Sequence, residues 1–185
     1  VGREVWKRAG ELGFLCIDMP EEYGGLGLDF SYSAQIVELA MRYECSGVGF
    51  SLHSDIAAPY ILSYGSDAQK KKYSRKMATG EWIASLAMTE PGTGSDVQSI
   101  RTIAEDKGSH YLLNGSKTFI TNGYMSDFTI VACKTNAQLG HKGISLLLVH
   151  ADFEGFTKGK PFKKLGLKAQ DTCELFFDNV QVPKE

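Results

Sequence analysis

The sequence predicts a chain of two unlike parts, an N-terminal all-α helical domain over residues 1–83 and an antiparallel β-barrel or sandwich domain over residues 84–185. Three observations carry this. Apolar residues recur at helical spacing through roughly the first eighty positions and at a period near two afterwards. Turn-forming residues separate the short apolar runs of the second part. No helical pattern falls between those runs, which argues against a parallel sheet built on crossover helices.

Each element has its own signal. Val5, Ala9, Leu12 and Leu15 form one apolar stripe, and Ile36, Val37, Leu39, Ala40 and Tyr43 form another after a glycine-rich loop at residues 22–28. Ala57, Ala58, Ile61 and Leu62 belong to a third helix that Gly65 can end, and Ser66 with Gln69 is a capping-box start for a fourth that Gly80 closes. The polar run at residues 70–76 reads as a solvated face. Strands are expected at residues 84–89, 100–105, 111–113, 118–121, 128–134, 144–150 and 174–177. Residues 106–109 (D-K-G-S) and the Asn114-Gly115 pair are expected as hairpin turns, the second of type I′.

With 185 residues, 43% of them hydrophobic, the chain is long enough to bury ordinary cores. A formal net charge of −2 provides no field to recruit nucleic acid, and no stretch reaches the apolar length of a membrane span. Cys16, Cys45, Cys133 and Cys173 are far apart with no C-x-x-C pair, so free thiols in a reducing compartment are expected. The opening V-G-R-E-V-W shows no initiator Met or targeting segment, and the end breaks off after a strand and a Pro. A fragment of a longer protein is expected.

Two segments carry the chemistry. Residues 88–96 (M-T-E-P-G-T-G-S-D) offer Gly92 and Gly94 for positive φ and close backbone approach, with Thr93 and Ser95 hydroxyls beside them, a composition suited to an anion nest. Residues 117–123 (K-T-F-I-T-N-G) place Phe119 and Thr121 two apart on extended backbone, so one face offers stacking and a hydrogen bond together. Such a pair of cradles suits a large planar cofactor bearing phosphates. It is not a dinucleotide fingerprint of the Rossmann type, because Val97 stands where the third glycine belongs and a β meander follows.

Other candidates are weaker. His53, His110, His141 and His150 have no metal-ligand spacing, and Ser95 and Ser99 lack a nucleophile elbow. Lys158, Lys160, Lys163, Lys164 and Lys168 can hold phosphates or guard a sheet edge, and edge protection is preferred. Glu90 can serve as a base, yet a carboxylate beside N–H groups more often stays ionised as an acceptor.

At A-M-T-E-P-G-T-G-S-D, followed by L-N-G-S-K-T-F-I-T-N-G, the chain closely resembles the acyl-CoA dehydrogenase family. The likeness extends through P-E-E-Y-G-G-L-G-L-D (20–29), G-F-S-L-H-S-D-I (49–56) and M-A-T-G-E-W (77–82), and with G-L-K-A-Q-D-T-C-E-L-F-F-D (166–178) it is nearest the long-chain branch. The resemblance implies a helical domain and a middle β domain, with the family's C-terminal helical bundle absent. It implies FAD, with Leu86, Ala87, Met88 and Thr89 along the flavin ring, Gly94 and Ser95 near the pyrophosphate, and Phe119, Ile120 and Thr121 at the flavin edge. Phe119 stands where many members have tryptophan. Ser95, His141 and Lys142 are the substrate-binding residues it implies for a fatty acyl-CoA.

The implied reaction is flavin-dependent oxidation of the thioester to a trans-2-enoyl-CoA in fatty-acid β-oxidation, with electron-transfer flavoprotein as acceptor. The family's base is a glutamate beyond residue 185, so this stretch alone is not expected to turn over substrate. A homodimer or homotetramer is implied at full length, in the mitochondrial matrix of a eukaryote or the cytoplasm of a bacterium. The rival readings are an acyl-CoA oxidase and a non-catalytic module that binds acyl-CoA or a partner.

Overall fold

A computed structural model describes residues 1–45 and 47–184. The described residues divide into two compact units: Val1–Ala84 with Lys163–Asp171, and Ser85–Phe162 with Thr172–Glu185.

The first unit carries α1 (Arg3–Glu11), α2 (Phe30–Arg42), α3 (Ala58–Tyr64) and α4 (Asp67–Ala78), with a π-helical turn, Leu52–Ala57, leading into α3. Helix α4 starts on the reciprocal Ser66/Gln69 box, which satisfies two otherwise orphaned N–H groups. It buries Tyr73, Ser74, Met77 and Ala78 on one side, while Lys71, Lys72 and Arg75 stay exposed. Its end is set by Gly80 at φ 68°, where a Cβ would run into the Trp6 carbonyl of α1. Gly10 makes the reciprocal close approach to Thr79. His53 is fully buried and bonded at both ring nitrogens: Nδ1 accepts from the Ala84 N–H (3.0 Å), so Nε2 carries the hydrogen that faces the Met77 carbonyl (3.1 Å).

The two expected helical stripes are rotated in the structure. In α1, Trp6 and Ala9 face inward while Val5 and Leu12 are exposed, because the Trp6 ring packs edge-on against Phe50 and His53 (centroids at 4.8 and 5.2 Å). In α2 the inner line runs through Ser33, Ile36 and Ala40, and Val37, Leu39 and Tyr43 are exposed.

The second unit is a curled, mostly antiparallel sheet of β1 (Ala84–Ala87), β2 (Ile103–Asp106), β3 (His110–Thr121), β4 (Phe128–Lys134), β5 (Ile144–His150), β6 (Phe156–Lys158) and β7 (Thr172–Pro183), in the order β1-β4-β2-β3-β7-β6 with β5 also on β4. One parallel pairing, Ile103 with Lys134, makes it mixed. Leu113, Val131, Val149, Leu175 and Val180 anchor its buried core. The hairpin at 106–109 forms as the sequence predicts, with Lys107 N–H on the His110 carbonyl and Gly108 N–H on the Asp106 carboxylate.

The Asn114-Gly115 turn does not form. Both residues lie inside the twelve-residue β3, which replaces the two short strands expected at 111–113 and 118–121. A type I′ turn needs positive φ at both central positions, and only Gly115 has it. There a Cβ would meet Thr102 at 2.6–2.9 Å. Opposite, β7 carries an extra residue between Val180 and Phe177, and the Asn114 side chain accepts from the N–H of Asn179, itself at φ 53°. Further along, β3 carries the extra residue between Lys117 and Ile120, so the second bulge restores the register that the first displaced.

Candidate functional site

The first cradle grows out of β1. Beyond Ala87 the chain runs through Met88 and Thr89 into a tight turn in which Glu90 and Thr93 exchange backbone N–H···O bonds (3.0 and 3.1 Å) around Pro91-Gly92. Neither Gly92 nor Gly94 takes a positive φ, so the expected left-handed nest is not formed. What the glycines leave is room, because a Cβ at either position would meet nothing within 4 Å. The Thr93 hydroxyl is buried without a partner, which makes it a donor or acceptor in want of a ligand atom.

The second cradle is the end of β3, where the bulge holds Phe119 at φ 57°. A bulky side chain in the left-handed region costs on the order of 1–3 kcal/mol, and such strain concentrates at binding sites. Here it turns the Phe119 ring out to 67% exposure, while the next residue, Ile120, is only 2% exposed. Phe162 lies beside the ring with centroids at 5.4 Å. Thr121 is half-buried, and the chain then turns through Asn122 (φ 60°) and Gly123, where a Cβ would meet Cys173 Sγ at 2.9 Å. Lys158, read from sequence as an edge guard, lies on β6 at the end of the sheet order and also donates to the carbonyls of Ser126 and Tyr124 in this turn.

The two cradles are joined directly. Thr118 N–H donates to the Thr89 carbonyl (2.9 Å). Lys117 Nζ donates to both the Met88 carbonyl and Glu90 Oε1 at 2.9 Å, with the ion pair almost wholly buried. Glu90 also accepts from the N–H groups of Arg101 (2.6 Å) and Thr102 (2.9 Å). Burial pushes its carboxyl up, but the hydrogen bonds from Thr102, Lys117 and Arg101 prevail and hold it below its ordinary value. Glu90 is thus an ionised acceptor engaged by three donors. The same burial pulls Lys117 down, and Glu90 resists that pull.

Among the residues singled out from sequence, Gly94, Ser95 and Phe119 are exposed, and Leu86, Met88, Thr89 and Thr121 are half-buried. Ala87 and Ile120 belong to the hydrophobic core, so only their backbone is open to a ligand. His141 and Lys142 are exposed on the Ala137–Gly143 turn, which lies against the Val97–Ser99 turn that ends the first cradle. The Lys117–Glu90 bridge and the Phe119–Phe162 ring pair join residues 27 and 43 positions apart, which local sequence patterns do not reveal.

Among the described residues no helix is long and apolar enough to cross a membrane, and no group of three or more His, Cys, Asp or Glu is placed to hold a metal ion. The cysteines are free, with Cys45 exposed and Cys16, Cys133 and Cys173 buried. Burial pushes the Cys16 and Cys133 thiols up to about 12, which suppresses thiolate chemistry at both.

Comparison with known proteins places this geometry. Residues 1–81 match the model of the acyl-CoA dehydrogenase N-terminal domain, and residues 85–180 that of the middle domain. The long-chain specific acyl-CoA dehydrogenase, mitochondrial, of Sus scrofa is 52% identical over 186 residues, covering 99% of this chain and 43% of the pig protein. The crystal structure of an acyl-CoA dehydrogenase from Geobacillus kaustophilus superposes with a TM-score of 0.95 at 51% identity, over 99% of this chain and 49% of that one. A glutaryl-CoA dehydrogenase from Mycobacterium smegmatis in complex with FADH2 superposes with a TM-score of 0.89 at 35% identity, over 99% of this chain and 46% of that one. The chain therefore spans about half the length of the relatives it matches. With the two domain models matching residues 1–81 and 85–180 and the two signature segments brought into contact, the chain belongs to the acyl-CoA dehydrogenase family.

Proposed function

We propose that the full-length protein is a FAD-dependent acyl-CoA dehydrogenase of the long-chain type, oxidising a fatty acyl-CoA to the trans-2-enoyl-CoA in β-oxidation. The observation that carries this reading is the junction of the two cradles, which sets an open glycine turn with an orphaned hydroxyl beside an outward-facing aromatic ring held in strained backbone. That donor set fits a flavin, which needs hydrogen-bond partners along one edge and an apolar wall against its ring.

In this reading Leu86, Met88, Thr89 and Thr121 hold the ring through side chains, and Ala87 and Ile120 through backbone, while Phe119 forms the wall. Gly94 and Ser95 receive the pyrophosphate. Ser95, His141 and Lys142 bind the CoA portion of the substrate, a grouping supported by the nearness of the Val97–Ser99 turn, just beyond Ser95, to the Ala137–Gly143 turn. Bound FAD supplies the two-electron acceptor. Glu90, committed to Lys117 and two N–H groups, takes no proton. The resemblance puts that step on a glutamate beyond residue 185. By family likeness, electrons pass to electron-transfer flavoprotein, the assembly is a homodimer or homotetramer, and the compartment is the mitochondrial matrix in a eukaryote or the cytoplasm in a bacterium.

The test is to purify the full-length protein with FAD and titrate it anaerobically with acyl-CoA thioesters of graded length. Flavin absorbance that bleaches best with long chains is the expected outcome. A protein without flavin absorbance and without acyl-CoA-dependent bleaching sinks the reading, and oxygen consumption in place of electron-transfer-flavoprotein reduction reassigns it to the oxidases.

A further inference from the structure

We infer that Lys117 and Glu90 are positioning residues, a buried ionic bracket that sets the spacing and orientation of the two cradles without touching the ligand themselves. The inference rests on the flavin-site reading for its functional consequence, but its structural content stands on geometry alone. Three backbone segments meet at this pair, which adds directed side-chain bonds to the Thr118–Thr89 backbone bond and to the pairing of β2 with β3. The ammonium takes the Met88 carbonyl from the first cradle, while the carboxylate takes the Arg101 and Thr102 N–H groups from the segment leading into β2. Lys117 itself opens the second cradle, two residues before the strained Phe119.

The chemistry explains why a charge pair occupies the place. The Lys117 side chain is fully buried and that of Glu90 is 6% exposed, a position where an apolar pair of like volume would serve stability as well or better. An apolar pair, however, has no directed bonds. An ammonium with three donors and a carboxylate with two oxygens fix the Met88 carbonyl and the loop amides to angles as well as distances.

The bracket also bears on strain. Phe119 keeps its positive φ only if its neighbours over-determine it. On one side stand Lys117 and the Thr118 N–H bond to Thr89, and on the other the Ile120 side chain in the core. Loss of the bracket therefore frees both cradles together.

The test uses the full-length protein carrying Glu90→Gln with Lys117→Met, which removes both charges at near-constant volume and leaves an amide oxygen for the Thr102 N–H. Two readouts are taken: amide hydrogen exchange of the protein without FAD, and FAD affinity with the visible circular dichroism of the bound flavin. The expected result is faster exchange confined to residues 88–96, 101–102 and 117–123, an FAD Kd raised about 10- to 100-fold, and an altered flavin dichroism band, with far-ultraviolet dichroism unchanged. A folded double variant with wild-type exchange in those segments overturns the inference, and so does wild-type FAD affinity combined with a wild-type band. A double variant that fails to fold overturns it too, because the pair then holds the fold and not the cradles. If the unsubstituted protein binds no FAD while exchange still rises in those segments, the bracket stands and the flavin reading alone is lost.

Discussion

The first cradle is open where the second is strained. In residues 88–96 no residue takes a positive φ and the glycines face empty space, whereas in residues 117–123 both Phe119 and Asn122 sit in the left-handed region and Gly123 is pressed against Cys173. One half of the site leaves room for a ligand at little conformational cost. The other stores strain to display a ring, and the surrounding sheet must supply the energy that keeps it there. The comparison teaches that substitutions in the two halves should separate stability from binding in opposite ways, with the Lys117–Glu90 bracket coupling both.

The largest effect is expected at the bracket. Glu90→Ala leaves Lys117 buried beside no counter-ion and should cost about 3–5 kcal/mol in chemical denaturation, where a loss under about 1 kcal/mol would show that the pair is solvated. The same carboxylate predicts a pH dependence. Its folded value is held below the unfolded one, so its stabilisation is complete above the ordinary carboxylate pKa of about 4.3 and is lost as pH falls through the depressed folded value. Melting temperatures between pH 6 and pH 3 should fall for the native protein, and should fall less for Glu90→Gln.

Next comes the crowded side of the second cradle. Gly123→Ala forces a methyl against Cys173 Sγ and the Ile120 carbonyl, both at 2.9 Å, and should destabilise by about 1–3 kcal/mol, read by urea denaturation. Phe119→Gly removes the positive-φ penalty and should leave the fold unchanged or up to about 1 kcal/mol more stable, while FAD binding weakens. A clear loss of stability would mean that Phe119 is a packing residue first. The smallest effect belongs to the open cradle: Gly94→Ala should stay within about 0.5 kcal/mol of the native stability, and a larger change would show that the turn is tighter than its empty surroundings indicate.

Local chemistry made much of this legible in advance. The Ser66/Gln69 box, the 106–109 hairpin and the strands at 128–134 and 144–150 depend on residues close in sequence, so reading nearest neighbours suffices. Asn114-Gly115 misled because its meaning is set by Asn179, sixty-five positions away on β7. The inward role of Trp6 likewise depends on Phe50 and His53, and the strand at Phe156–Lys158 is too short to announce itself. At the site, the segments bearing Thr89, Gly94, Phe119 and Thr121 stood out by composition, but the core placement of Ala87 and Ile120 did not.

By itself the sequence determined the α-then-β order, the family, and the two segments that carry the site, because periodicity, turn residues and long motifs are written in contiguous stretches. Only the tertiary structure decided that Lys117 meets Glu90, that the β3 bulge turns Phe119 outward, and that Glu90 is an occupied acceptor and not a base. Each of these depends on a partner distant in sequence, and burial, register and hydrogen-bond satisfaction are settled only when the strands close on one another.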